Sequence, residues 1–510
     1  MKDINYMTLS EFHQSPTAPA SQHPTYRSAF FRMRPAPENA TGEVLLSALY
    51  RTVGFPTISE QDVPSLGSEF YRRLQTPTKQ LLSRDGKISA RGWTKIIDEI
   101  LKSPKQLNQS KQRFLQLMPL VPALALYTSS ARLKGNPWNP GDLIKRTLWF
   151  SGQGNDAVEK TWKRIFDTLT VDRSDDVWAR FLAEELVSWK PPRNTHEWQY
   201  AGLSDSMAVS NEDAIAMLSP AKYFHEDLDA ILRLKPHLTR RQWISMLESI
   251  LRIGTASHVF WICHVHQVIW GQLQQCLSGK FIAPENQHMN LSVPSNGFWA
   301  YGDKASPKIK DMIRKYYIAR IGINHVLHVA DHAGMEIPAD SLTTVEGVSR
   351  LLQSISKAHD QLAQFDILSK QRQLLDMETR QLACAKGIPA NMMEFVRYSL
   401  GQTQTAEVEL KGYDQGYYLR KKGSHPAAPW IVSFGPVSAM TLTYCCAIKS
   451  KFPRNVADFC KHLAGYGIYI HPNDVPASDL GSTMTNLGLI LDSPDAEGGM
   501  MISSPFRLNE

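Results

Sequence analysis

Three histidines at helical spacing are the first residues whose types and positions could do chemistry. His325, His328 and His332, in the stretch "GINHVLHVADHAG", stand at i, i+3 and i+7 and so share one face of a helix. Imidazole is a favoured zinc ligand, but positions i and i+7 are about 10 Å apart at a rise of about 1.5 Å per residue, too far to share one ion. We therefore predict histidines buried in a core or interface, and no metal site.

A second group of candidate ligands lies toward the end of the chain. It consists of Cys445, Cys446, Cys460, His462 and His471. Their spacing matches none of the usual zinc knuckles, and vicinal cysteines on a strand would point to opposite faces. The six cysteines of the chain include no CxxC pair. We predict buried, reduced thiols.

The stretch "VELKG" contains the only pattern that suggests a nuclease. Glu409 and Lys411 form the Glu-x-Lys half of a metal-dependent nuclease core in a predicted strand. Such a site needs a second acid on a neighbouring strand to hold Mg²⁺, and a bare Glu-x-Lys often arises by chance. We favour solvent-facing residues of an edge strand and keep a nuclease as an alternative. No GxxxxGK[ST], GxGxxG, GxSxG or HExxH motif is present, so no cofactor is predicted.

The elements that must position these residues are predominantly helical. Apolar residues recur at helical spacing from about residue 41 to about residue 400. The clearest helix start is Thr239, which Gln242 follows three positions later in the capping-box pattern. From about residue 405 the pattern alternates and is rich in Gly, Tyr and Val, which predicts two or three strands.

The predicted fold class is therefore mainly α. Multi-helix N-terminal and central domains precede a small C-terminal α/β domain of winged-helix type. We divide the chain into an extended arm at 1–40, a basic helical domain at 41–195, a central helical domain at 196–404 and a strand-containing acidic domain at 405–510, the tail. The arm is rich in Pro, Ala, Ser and Thr, and we expect it to become ordered on a partner.

Neither a membrane span nor a secretory signal is predicted. The longest strongly apolar stretch, residues 117–127, contains Pro119 and Pro122, whereas a span needs about 20 unbroken residues. The first residues carry Asp3 and no apolar run. We place the protein in the reducing cytoplasm, with no membrane partner.

Positive charge is concentrated in residues 71–146, the basic segment. This segment holds fifteen Lys and Arg against four Asp and Glu, a net of +11, whereas the whole chain has +7. Aromatic residues are interleaved with the charges, a composition that suits a phosphate-binding surface. A site for an acidic protein partner is the competing explanation. The predicted nucleic-acid-binding residues are Arg72, Arg73, Lys79, Arg91, Lys95, Lys102, Lys105, Lys111, Arg113, Lys145 and Arg146.

The C-terminal part of the tail has the opposite charge. Residues 455–510 contain two Lys or Arg against seven Asp or Glu, a net of −5. Helices at 455–467 and from about 478, then strands at 489–492 and 500–503, give the helix, helix, hairpin order of a winged helix. The second helix lacks Lys and Arg, and Asp495 and Glu497 lie in the turn of the hairpin, where phosphates would be repelled. We therefore predict that the tail packs against a partner protein or against another domain of the chain, such as the basic segment.

The combination of a basic helical segment and an acidic winged-helix-like tail resembles accessory subunits of bacterial multi-gene DNA-targeting, or anti-phage defence, systems. The resemblance is one of architecture, covers the tail and the overall layout, and transfers no functional residue. Our hypothesis is a non-enzymatic subunit or adaptor that binds nucleic acid, DNA in particular, through the basic segment and binds other proteins through the tail. The alternatives are a nuclease using Glu409 and Lys411 and a protein scaffold without nucleic acid. The oligomeric state stays open.

Overall fold

The structure of the chain is a computed structural model. It describes residues 7–33, 44–56, 67–75, 88–101, 103, 117–126, 140–152, 154–189, 196–203, 218–280, 290–401, 414–423, 425, 427–449, 453–491 and 499–506.

The described residues are mainly helical, as the sequence predicts. Their α-helices are α1 Leu9–Gln14, α2 Pro24–Arg27, α3 Val44–Gly54, α4 Gly67–Leu74, α5 Ala90–Leu101, α6 Pro140–Trp149, α7 Asn155–Leu169, α8 Val177–Ser188, α9 Ala221–Arg233, α10 Arg240–Leu277, α11 Ala305–His332, α12 Val345–Lys357, α13 His359–Ala363, α14 Ile367–Asp376, α15 Thr379–Leu382, α16 Gly387–Ser399, α17 Pro436–Ala447, α18 Val456–Gly465 and α19 Asp479–Asn486. Short 3₁₀ helices occur at Pro19–Ser21, Pro122–Leu126, Lys235–His237 and Pro472–Asp474.

Strands are few and short among the described residues. They are β1 Trp299–Ala300, β2 Leu419–Lys421, β3 Trp430–Val432, β4 Ile468–Tyr469, β5 Ile490–Leu491 and β6 Met501–Ile502. β1 pairs with β4 in parallel, with Trp299 opposite Ile468. β2–β3 and β5–β6 are antiparallel pairs, with Arg420 opposite Ile431 and Ile490 opposite Ile502.

The long helix α10 forms the centre of the molecule. It begins at the predicted capping box, where the Gln242 amide nitrogen donates to Thr239 Oγ1 at 3.4 Å and the Thr239 amide nitrogen donates to Gln242 Oε1 at 3.1 Å. Side chains are buried around most of its circumference, as expected for a helix surrounded by others. It packs against α3, α6, α9, α11, α12 and α17. One hydrophobic core contains residues from all four predicted segments, for example Phe12, Leu49, Trp243 and Phe459. The domain boundaries stay a prediction.

The arm predicted at 1–40 is not extended over its described residues, 7–33, which we call the N-terminal segment. This segment contains α1, a 3₁₀ turn and α2, and it packs against α11. The reason is apolar burial, since Phe12, Tyr26, Phe30 and Phe31 are buried in the core and their burial offsets the cost of ordering a Pro-rich stretch.

The described part of the tail has the predicted element order of helix, helix and hairpin in α18, α19 and β5–β6. Residues 492–498, which include Asp495 and Glu497, lie outside the described residues. β4, between the two helices, pairs with β1 of the central region. The assignment as a winged helix stays a prediction. The vicinal Cys445 and Cys446 lie in α17 and not on a strand.

Candidate nucleic-acid interface

Helices α4 and α5 carry the exposed cations of the basic segment among the described residues, and they pack together with α8. Trp93 Nε1 of α5 donates to the carbonyl oxygen of Leu74 in α4 at 2.8 Å. The rings of Trp93 and Phe181, in α8, have centroids 6.2 Å apart. Phe70 of α4 packs on Trp189, just after α8, with centroids 5.2 Å apart. The three helices therefore form one bundle.

Three predicted residues are exposed on this bundle, namely Arg72 of α4 and Arg91 and Lys95 of α5. Helical periodicity explains their positions in α5, because Trp93 and Ile97 occupy the buried side and so leave Arg91 and Lys95 on the opposite side. These cations are positioned on regular helices and are accessible to a partner.

Arg73 is half-buried and makes contacts within the bundle. Its Nη2 atom donates to Ser188 Oγ at 3.2 Å, and its Nε atom lies 3.8 Å from Glu185 Oε2. Since both partners belong to α8, Arg73 links α4 to α8. We therefore assign Arg73 to the stability of the bundle and not to its exposed positive charge.

The structure adds two residues that the sequence analysis missed, Trp178 and Arg180, both exposed on α8. Trp178 is 36% exposed, and its ring lies 6.5 Å from that of Trp93. Asp176 caps this helix by accepting from the amide nitrogens of Trp178 and Ala179. The sequence signal was a tryptophan two positions before a basic residue, but both residues lie outside the window over which the charge was counted.

Acidic residues balance the bases on the described helices. α4, α5 and α8 carry five Lys or Arg and five Asp or Glu. Nine of the fifteen Lys and Arg of the basic segment lie outside the described residues. The predicted residues among those nine are Lys79, Lys102, Lys105, Lys111 and Arg113. Most of the positive excess therefore belongs to the stretches that connect the described helices.

Lys145 and Arg146, also predicted as nucleic-acid-binding, are engaged inside the protein. Lys145 is buried with its Nζ atom 5.5 Å from the ring centroid of Trp162, and burial lowers the pKa of Lys145. Arg146 donates to the carbonyl oxygens of Ala29 and Phe30 and so holds the N-terminal segment. Both belong to α6, which packs on α3, α9 and α10. We leave these two residues out of the proposed surface.

The three histidines of α11 do not form one site. His325 and His328 are buried beneath the N-terminal segment, whereas His332 is exposed. Among the described residues, no group of three or more His, Cys, Asp or Glu is arranged to hold a metal ion.

The cysteines and histidines of the tail are also dispersed. Cys445, Cys446 and Cys460 are buried free thiols, and burial raises the pKa of Cys446 and of Cys460 to about 12. His462 Nε2 lies 2.9 Å from Asp227 Oδ2, while His471 is exposed. Glu409 and Lys411 lie outside the described residues, so the nuclease alternative stays untested.

In comparisons with known proteins, the chain matches no protein-family model and has no significant match among curated proteins. Of the helices that the structure describes, none is long and apolar enough to cross a membrane.

Proposed function

We propose that the protein is a non-enzymatic subunit or adaptor that binds nucleic acid through the basic segment and binds protein through the tail. The observation that carries the proposal is the charge distribution. Residues 71–146 have a net charge of +11 in a chain whose total is +7. A cationic surface that neutralises phosphates releases counterions, which favours binding to any nucleic acid.

The bundle of α4, α5 and α8 supports the proposal with residues of two kinds. Arg72, Arg91 and Lys95 are exposed and reach outward to phosphates. Trp178 presents part of an indole ring beside the same helices, and exposed aromatic rings stack with unpaired bases. Cationic and aromatic groups together are the composition of a surface for DNA, single strands included.

The tail supports the second half of the proposal. Its residues 455–510 have a net charge of −5, and large apolar side chains are exposed among them, including Leu487 at 40%, Leu491 at 54% and Tyr469 at 40%. Apolar groups on an acidic surface suit a protein partner better than a phosphate backbone. We assign the tail, as a winged-helix-like domain, to protein docking. A role in bacterial DNA-targeting defence is the most specific form of the proposal and rests on the architectural resemblance alone.

A protein scaffold without nucleic acid is the second candidate. It is favoured by the balance of five bases and five acids on α4, α5 and α8. In that case the basic segment binds an acidic protein.

The test compares binding of fluorescent duplex and single-stranded DNA by the full chain at several salt concentrations. The variant Arg72→Glu/Arg91→Glu/Lys95→Glu reverses three exposed charges of the bundle. We expect tight binding at low salt that weakens steeply with salt, and a slope of log Kd against log salt that shrinks by up to about 3 in the variant.

The matched control reverses three exposed charges on another helix. Lys308→Glu/Arg314→Glu/Lys315→Glu makes the same change in net charge on α11. We expect this control to bind nearly as wild type does. Absence of wild-type binding at low salt would leave the scaffold function, and equal weakening of both variants would show that only net charge matters.

A further inference from the structure

Histidines anchor the N-terminal segment to the two longest helices. His13 Nε2 lies 3.0 Å from His325 Nε2 of α11. His328 Nε2, one turn further along α11, donates to the carbonyl oxygen of Ser21 at 2.9 Å. His266 of α10 lies 2.9 Å from the hydroxyl of Tyr26. Each contact joins the segment to a buried side chain of these two helices.

The contact between His13 and His325 depends on the protonation of both rings. One Nε2 atom donates its proton and the other accepts, so the pair holds a single proton between the two nitrogens. A proton added to the Nδ1 atom of the donating ring would leave this hydrogen bond in place but would add a positive charge next to buried side chains, whereas protonation of both rings would place two N–H donors against each other at 3.0 Å. Protonation therefore weakens the anchor, and protonation of both rings breaks it.

The contact between His266 and Tyr26 is also made by a neutral ring. His266 Nδ1 donates to the carbonyl oxygen of Ile262 at 2.8 Å, which leaves Nε2 without a proton and able to accept from the Tyr26 hydroxyl. Because a tyrosine hydroxyl can also accept, a proton on Nε2 would reverse this hydrogen bond and not remove it. The cost of that proton is a positive charge on a fully buried ring.

Aromatic packing keeps water and countercharge away from these rings. Phe12 stacks on His325 with centroids 5.6 Å apart and an interplanar angle of 17°, and its centroid lies 4.7 Å from that of His328. Burial lowers the pKa of His325 and of His266 to about 3, and it also lowers the pKa of His13. The anchored segment therefore holds these rings neutral.

Most of the charged groups around the anchoring histidines also lower the pKa of these rings. Lys370 of α14 lowers the pKa of both His13 and His325, and Arg320 of α11 lowers that of His266. Asp331 acts in the opposite direction on His23 and His328, and its carboxylate lies 2.8 Å from His23 Nε2. Further charged or titratable groups that face the segment among the described residues include Arg27, Arg32, Arg146, Tyr316, whose ring centroid lies 4.6 Å from that of His266, and Glu378, which accepts from Thr17.

We propose that the N-terminal segment is an acid-released strap, held on α10 and α11 by neutral His13, His266 and His325 and freed when these rings take up protons. A histidine in water has a pKa of about 6.5, higher than in the anchored state, so the released state binds more protons. The anchored strap is therefore most stable above about pH 6.5, and its stability falls progressively as the pH drops below that value. Release uncovers the apolar surface of α11 that Phe12 covers.

Hydrogen exchange read by mass spectrometry tests the strap in the full chain at pH 7.5 and pH 5.5, with rates corrected for the intrinsic effect of pH. The reporters are the amide of Phe30, which donates to the Leu342 carbonyl oxygen at 3.0 Å, and that of His23, which donates to Asn324 Oδ1 at 2.8 Å. Between these pH values we expect opening to increase about tenfold for each histidine that gains its proton on release. Amides in the middle of α10 should not change, which separates release from global unfolding.

The variant His13→Gln/His325→Gln removes one anchor pair, and His13→Gln alone serves if the double variant does not fold. We expect the increase in opening between pH 7.5 and pH 5.5 to be smaller than in wild type by a factor of about ten or more. His332→Gln is the matched control, because it changes an exposed histidine on the same helix. It should behave as wild type does. Equal corrected exchange at the two pH values, or an unchanged pH dependence in the His13 variants, would overturn the proposal.

Discussion

The carboxylate of Asp227 accepts a hydrogen bond from His462 Nε2 at 2.9 Å, across 235 residues of sequence. Tyr466 donates to the same oxygen at 2.7 Å, and Lys449 Nζ lies 2.9 Å from the other. Asp227 belongs to α9, whereas its three partners lie in the tail. A fully buried negative charge therefore fixes the tail against the central helices, because moving the tail would leave that charge unpaired.

Asp227→Asn should destabilise the fold by about 3 kcal/mol, because it removes the charge that compensates Lys449 and weakens two hydrogen bonds to a buried carboxylate. Urea unfolding followed by circular dichroism measures the change. The control is Asp229→Asn on the same helix, whose carboxylate pairs with Arg164 and Arg233 near the surface. Exposed pairs contribute about 0–1 kcal/mol, so similar losses in the two variants would contradict the assigned role.

The contacts of Asp227 also predict how the free energy of unfolding depends on pH. Burial by itself raises the pKa of Asp227, but His462 and Lys449 outweigh burial, and the net shift is downward from 3.8. A carboxyl whose folded pKa is lowered stabilises the fold at pH values above its unfolded pKa, and this contribution is lost as the pH falls through the folded value. The difference in unfolding free energy between wild type and Asp227→Asn should therefore be present at neutral pH. It should shrink below about pH 4, and a difference that grows with acid would argue against this account.

Replacement of two glycines of α10 by alanine should change the stability of the fold in opposite directions. A Cβ atom at Gly254 would lie 2.1 Å from the Phe224 ring, whereas at Gly271 it would meet nothing within 4 Å. We expect Gly254→Ala to destabilise by about 1–3 kcal/mol through overpacking. Gly271→Ala should stabilise by about 0.5–1 kcal/mol, because alanine has the higher helix propensity. Thermal unfolding of the two variants side by side gives the sign of each effect, and a stable Gly254→Ala would mean that α9 lies further from α10.

Thiol labelling should single out one cysteine. Cys384 is half-buried, while the other five cysteines are buried. Burial raises the pKa of Cys384 above 9, so we expect slow labelling by a maleimide at pH 7. Mass spectrometry of the native protein should find one label, none in Cys384→Ser, and six in wild type under denaturant. Rapid native labelling of Cys446 or Cys460 would contradict their position in the core.

Local sequence patterns determined much of the secondary structure. The helix start at Thr239 was predictable because a capping box uses atoms only three residues apart, and its two hydrogen bonds are present. The exposure of Arg91 and Lys95 followed from the apolar residues of α5 at helical spacing. Contacts within a helix depend on the nearest neighbours in sequence, and the sequence states these directly.

Positions set by distant parts of the chain were not predictable in this way. By charge alone, Lys145 and Arg146 were as good candidates for binding nucleic acid as Arg91. In the structure, however, Lys145 packs on Trp162, and Arg146 donates to carbonyl oxygens of the N-terminal segment. That segment resembled a disordered arm in composition, because its stability comes from apolar and histidine contacts with α10 and α11, some 240 to 310 residues away.

The sequence by itself therefore determined the helical class of the fold, the capped helix ends and the segregation of charge between residues 71–146 and the tail. Only the tertiary structure decided which cations face solvent, that Trp178 lies beside them and that Asp227 meets His462. The physical reason is that helical periodicity and local charge depend only on residues that are close to each other in the sequence. Burial and pairing depend on which surfaces meet in the core.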